Sequence, residues 1–203
     1  MLASLWSDML ELSRIEWVAS LLALAYVILV ARQKVVGWLF GIISCALWAY
    51  ASLVFYKLYL DALLQVFYVA MGFWGWFSWQ KDKTLNRSLS IKTLPLSQHT
   101  AIIVAGILLS LLFGYFFAAF TPAAATYPDA FTTVFAVAAT LMQVKKVLEN
   151  WIYWIVIDAC YVWLYGSRGA LLFMVLMLIY AIIATFAWIK WKASCHKTKF
   201  KQL

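Results

Sequence analysis

The sequence predicts an all-α membrane protein of seven transmembrane helices. Its composition, its long apolar runs and the placement of its basic residues all point that way. Of the 203 residues 67% are apolar and 12% charged, whereas a soluble domain carries about 25% charge. Several apolar runs reach the roughly 17–25 residues that cross a bilayer as a helix. The segments fall at about 15–31, 35–55, 62–79, 100–120, 129–146, 149–165 and 170–191, each with ends uncertain by a few residues.

Taken in order, the first fourteen residues (MLASLWSDMLELSR) are too acidic and their apolar run too short for a signal peptide, and are read as a short interfacial helix. The first segment stops at Arg32 and Lys34, and the second starts near Trp38. The third opens on the run Leu60 to Tyr68 and closes on Gly75-Trp76-Phe77-Ser78-Trp79, with Gly75 as a possible gate element. A hydrophilic stretch, 80–99, leads to the fourth segment and is the longest connection. The fifth ends in Lys145 and Lys146, the sixth carries Trp151 to Asp158, and the seventh runs into a short basic tail at 192–203.

Seven crossings leave only Arg14, Lys57 and Arg168 on the N-terminal side. The other thirteen lysines and arginines, among them Arg32, Lys34, Lys81, Lys145, Lys146, Lys190 and Lys192, fall opposite. Positive charge marks the cytoplasmic face, so the N-terminus is expected outside and the C-terminus inside. The net charge of +8 does not imply nucleic acid, because there is no soluble basic domain and no phosphate-binding glycine loop. Cys45, Cys160 and Cys195 make no disulfide or metal pattern; free thiols are expected, and neither a metal nor a cofactor.

The chain also matches itself. A shift of 113 sets Trp38 on Trp151 and Cys45 on Asp158, and a shift of 112 sets Trp76 and Trp79 on Trp188 and Trp191. This predicts a parallel 3+1+3 repeat within a single domain: 15–79 and 129–191 as copies, 100–120 as the linking helix. In such transporters the substrate sits near mid-membrane at the repeat interface, where small rigid movements would open it to each side in turn.

Trp151, Trp154 and Asp158 stand at i, i+3 and i+7, so two indoles and a carboxylate share one helix face. Asp158 lies roughly 13 Å from the inner end of its helix, close to the middle of a core about 30 Å thick. A carboxylate there is costly without a partner or a wet cavity. Aromatic faces beside a negative charge suit a flat cation. Polar groups that could orient it are Gln65 and Tyr68, in a stripe with Asp61 on the third helix, Thr140 and Gln143 on the fifth, and Tyr161 on the sixth. Asn150 stands about 100° from Trp151 around the helix.

Other readings of these residues stand beside this one. Trp76, Trp79, Trp188 and Trp191 fit an inner interfacial belt, and Trp17 and Trp163 an outer one. Trp151 fits belt or pocket, Asp158 could instead bond a neighbouring helix, and Asp61 fits the outer interface. His99 and His196 are read as inert loop residues. A membrane enzyme is disfavoured, since no histidine and no carboxylate pair lies at depth. A retinal protein is disfavoured because Lys190 is the only lysine of the seventh segment and lies at its end. The absence of a Walker motif argues against ATP-driven transport within this chain.

Taken together, the 3+1+3 layout, the runs at 60–68 and 75–79, and Glu149-Asn150-Trp151-x-x-Trp154-x-x-x-Asp158 resemble the PnuC family of bacterial vitamin transporters over nearly the whole chain. The resemblance implies a SWEET-like fold and facilitated diffusion of a vitamin across the inner membrane. It implies nicotinamide riboside first, with thiamine, or in some members riboflavin, as alternatives. The W-x-x-W-x-x-x-N motif of the riboside transporters maps onto Trp151, Trp154 and Asp158, with Asp in place of Asn. The resemblance also implies a functional link to a cytosolic vitamin kinase that traps the product, and a trimeric assembly. The expected partners are the vitamin and the lipid bilayer, with no nucleic acid.

Overall fold

The computed structural model describes residues 14–55, 57, 59–84, 91–120 and 126–200, without the side chains of 59–61, 83 and 196–200. Seven helices account for nearly all of it: α1 (Arg14–Ala31), α2 (Gly37–Val54), α3 (Tyr59–Thr84), α4 (Leu96–Phe120), α5 (Thr126–Val144), α6 (Asn150–Ser167) and α7 (Leu171–Phe200). Each expected segment corresponds to one helix. The stretch 1–13 lies outside the described residues, as does the side chain of His196. The connection expected over 80–99 is shorter than that, because α3 runs on to Thr84 and α4 begins at Leu96. Pro95 stands just before that start, where its missing N–H is not needed, and its carbonyl accepts from Gln98 and His99. His99 is therefore in the first turn of α4 and not in a loop.

By length and composition, four helices can cross a membrane: Arg14–Ala31, Gly37–Val54, Leu96–Phe120 and Leu171–Cys195. Their outer surfaces are apolar; Leu108 is 62% exposed and Phe186 likewise 62%, as lipid-facing side chains should be. Among the described residues, α3, α5 and α6 fall short of that measure. These three helices carry the candidate polar residues.

The described residues form two compact units. One contains α1, α2, α3 and the end of α7 from Ile189. Its centre is Trp38, which meets Tyr26 edge-on at 5.6 Å and Trp79 at 5.4 Å between ring centroids. Trp79 continues the chain of rings to Trp191 at 6.0 Å. The Trp191 indole Nε1–H donates to the Ala31 carbonyl at 3.0 Å. Trp79 and Trp191 are fully buried, so they are core residues and not the interfacial belt that their position in sequence suggests. A Cβ on Gly75 would lie 2.5 Å from the Trp38 ring, and one on Gly72 would lie 2.6 Å from Ile42. Gly75 thus serves close packing against Trp38.

The other unit is Ile91–Trp188. In α4 the buried residues are Gly106, Ser110 and Gly114, a row of small residues every four positions that lets a neighbouring helix approach. Gly106 faces Phe135 and Gly114 faces Tyr127, both on α5. Phe135, Ala136 and Ala139 of α5 and Ile157 of α6 form a buried cluster.

Two turns 113 residues apart share the same backbone hydrogen bonds. Gln33 and Lys146 are both left-handed, at φ 57° and 55°. After α1, the Lys34 N–H reaches the Leu29 carbonyl and the Gln33 N–H reaches Val30; after α5, Val147 reaches Met142 and Lys146 reaches Gln143. Both are Schellman caps. A second pair of left-handed residues, Lys57 (φ 54°) and Gly169 (φ 75°), stands 112 apart. These four account for every positive-φ residue among those described.

Candidate functional site

The first turn of α6 is held from outside the helix. Residues 91–94 run beside the α5–α6 turn: the Lys92 N–H donates to the Lys146 carbonyl at 2.9 Å, and the Leu148 N–H donates to the Lys92 carbonyl at 2.8 Å. This makes an isolated parallel bridge between Lys92 and Val147. The Leu94 N–H donates to Glu149 Oε2 at 3.3 Å. His99 brings Nδ1 to 3.1 Å from the Tyr153 hydroxyl and Nε2 to 4.0 Å from Glu149 Oε2. Val147, Leu148, Asn150 and Trp151 are buried at this point. Lys146 is 2% exposed, so it is not the free surface charge that its basic cluster suggests.

α6 also carries buried polar atoms with no hydrogen-bond partner among the described residues. Asn150 is fully buried; its Nδ2 donates to the Val147 carbonyl at 2.5 Å, while its Oδ1 has no hydrogen-bond partner among the described residues. The Trp154 Nε1–H is buried and likewise unpartnered. Asp158 is 4% exposed, and no described residue offers it a hydrogen bond or an ion pair. These three stand four residues apart, about 40° of turn and 6 Å of rise per step. Leaving a buried polar group unpaired costs about 1–3 kcal/mol, more for a charge. A ligand carrying a donor, an acceptor and a positive charge would satisfy all three.

The other expected residues divide. Trp151 is 1% exposed, which fits a packed position better than an interfacial belt. Trp154 and Tyr161 are partly buried against the Phe135–Ala139 cluster, and Tyr161 stacks on Tyr165 at 5.7 Å. Gln143 is buried, and Thr140 gives its hydroxyl proton to the Ala136 carbonyl at 2.8 Å, so only its oxygen is left to accept from a ligand. On α3, Gln65 and Tyr68 are half-buried, and the Asp61 side chain lies outside the described residues. No group of three His, Cys, Asp or Glu residues that could hold a metal stands together among the described residues. The clamp made by His99, Glu149 and Tyr153 was not legible in the sequence: 50 residues separate His99 from Glu149, and nothing local marks them as neighbours.

Residues 13–193 match the family described as Nicotinamide mononucleotide transporter. The chain belongs to that family. The transporter is 28% identical over 186 aligned positions to the nicotinamide riboside transporter PnuC of Escherichia coli strain K12, covering 78% of this chain and 77% of that one. The PnuC of Shigella flexneri gives the same figures. That of Neisseria mucosa is 25% identical over 190 positions, covering 86% of this chain and 72% of its own. In fold, the transporter is similar to the crystal structure of the vitamin B3 transporter PnuC, with a TM-score of 0.72 at 23% identity over 97% of this chain and 90% of that one. It is a multi-pass protein of the bacterial inner membrane and a transporter, not an enzyme.

Proposed function

We propose that the transporter takes up nicotinamide riboside by facilitated diffusion. The observation that carries this reading is the row of buried, unpartnered polar groups on α6: Asn150 Oδ1, Trp154 Nε1–H and Asp158. Nicotinamide riboside has a flat pyridinium ring with a fixed positive charge, a carboxamide and ribose hydroxyls. The Asp158 carboxylate offsets the ring charge, and each indole face on the cation adds about 0.5–2 kcal/mol. The carboxamide and hydroxyls supply the donor and acceptor that Asn150 and Trp154 lack. The names of the relatives favour the riboside over thiamine.

The same reading includes seven crossings with the N-terminus outside, supported by the thirteen-to-three division of basic residues. It includes a parallel 3+1+3 repeat within one transporter domain, supported by the matching turns at Gln33 and Lys146 and at Lys57 and Gly169. Thr140, Gln143 and Tyr161 are further contacts. Gln65, Tyr68 and Asp61 of α3 remain candidates through their spacing. The resemblance to the vitamin transporters supports a homotrimer, and a cytosolic kinase that phosphorylates the vitamin and keeps the gradient inward.

The test is a titration of detergent-purified protein, following Trp fluorescence with nicotinamide riboside, thiamine and riboflavin in parallel. Saturable quenching by the riboside alone is expected. Saturation by thiamine instead would change the vitamin, and no response to any of the three would remove this function.

A further inference from the structure

Outside the α6 stripe, His99, Glu149 and Tyr153 come together at the start of α6. We propose that His99 and Glu149 are positioning residues that make substrate binding proton-sensitive. The strap 91–94 and the first turn of α4 meet α6 at one place, and Glu149 joins them by accepting from the Leu94 N–H and facing His99. The His99 and Glu149 side chains are 14% and 16% exposed, so water reaches the pair but does not flood it.

The imidazole has one nitrogen committed to the Tyr153 hydroxyl. The other, Nε2, is buried with no hydrogen bond among the described residues, and the carboxylate stands 4.0 Å away. Imidazole is the side chain whose charge ordinarily changes between about pH 5 and 8. A proton on Nε2 converts the contact into an ion pair with Glu149. The charged and titratable groups nearest the pair along the chain are the exposed Lys92 and Lys145, the buried Lys146 and the Tyr153 phenol; farther along the same elements stand Tyr115 on α4, Tyr127 and Asp129 on α5, and Asp158, Cys160, Tyr161 and Tyr165 on α6.

The positioned residues follow directly in sequence. Asn150 and Trp151 come immediately after Glu149, and Trp154 immediately after Tyr153. Both anchors of His99 therefore sit on the turn from which the candidate ligand groups project. Tightening the clamp orders that turn, and the ordering cost of binding falls accordingly. This rests on the α6 reading of the site given above.

Two measurements separate the two ideas. The first is amide hydrogen exchange over 147–153 in the full-length protein without ligand, at pH 5.5 and 8.0, corrected for intrinsic rates. Protection is expected to be about three- to fivefold greater at the lower pH in the wild type, as a part-exposed ion pair provides. The difference is expected to vanish in His99→Gln and in Glu149→Gln. Equal pH dependence in the wild type and His99→Gln would overturn the proposal. The second is the riboside titration at the same two pH values. Wild-type affinity is expected to be higher at pH 5.5 by a similar factor, His99→Gln to be flat, and the double variant to match either single one. Additive effects in the double variant, or a wild-type pH profile kept by His99→Gln, would overturn it. Loss of riboside binding in the wild type at both pH values removes the site reading alone, and hydrogen exchange still decides the clamp.

Discussion

Gln33 and Lys146, 113 residues apart, occupy the same left-handed position at the end of their helices, with φ 57° and 55°. In each, the next residue's N–H reaches back five positions to close the cap. Their surroundings differ: Gln33 is half-buried, whereas Lys146 is 2% exposed. A side chain in this conformation costs about 1–2 kcal/mol that glycine avoids. Gln33→Gly is therefore expected to raise the melting temperature of the purified protein. Lys146→Gly is expected not to, because it gives up the buried contacts of the lysine. Equal stabilisation by both would mean that the Lys146 side chain contributes nothing.

Gly75 has a measurable packing role. A Cβ there meets a fully buried indole at 2.5 Å, and Trp38 is held on other sides by Tyr26 and Trp79. Gly75→Ala is expected to destabilise by about 1–3 kcal/mol, the usual range for overpacking, seen as a lower midpoint in thermal unfolding. An unchanged midpoint with altered transport would restore the gate reading.

Trp191 near the end of α7 and Trp163 near the end of α6 differ in burial. Trp191→Phe keeps a ring beside Trp79 but removes the donor to Ala31, which is expected to cost about 0.5–1.5 kcal/mol. Trp163 is 65% exposed, and Trp163→Ala is expected to shift stability by less than about 0.5 kcal/mol. Thermal unfolding of both variants in the same detergent tests the contrast.

Trp154 combines a ring packed on the Phe135 cluster with an unpartnered N–H. Trp154→Ala is expected to weaken riboside binding at least about tenfold, as loss of a desolvated cation–π contact would, with folding retained. Trp154→Phe keeps a ring and loses only the donor, and a smaller loss is expected. Fluorescence titration and size-exclusion profiles read the two effects apart; unchanged affinity in well-folded Trp154→Ala would move the pocket elsewhere.

Asp158→Asn tests the charge. If the carboxylate faces the pyridinium, this variant loses affinity for nicotinamide riboside and keeps its affinity for the uncharged dihydro form. Competition binding with both ligands is the measurement. An equal effect on the two would assign Asp158 to helix packing.

Much of this molecule can be read along the chain because a bilayer imposes strong local rules. Every span must satisfy its own backbone, so helices and their approximate ends follow from apolar runs. The identity of the α6 motif residues follows from helical spacing. The self-match at 113 also follows from sequence, and the turns at Gln33 and Lys146 repeat it in backbone conformation. What the tertiary structure decided concerns neighbours remote in sequence. Aromatic residues at a helix end look alike whether they face lipid or core, and only packing showed that Trp79 and Trp191 are buried while Trp163 is not. The spacing of Asn150, Trp154 and Asp158 was visible, but their lack of partners was not, since hydrogen-bond satisfaction depends on every surrounding element. The meeting of His99 with Glu149 and Tyr153 likewise depends on the strap 91–94 folding back along the α5–α6 turn. Pattern along a chain reports local geometry, whereas contact between distant residues is a property of the packed whole.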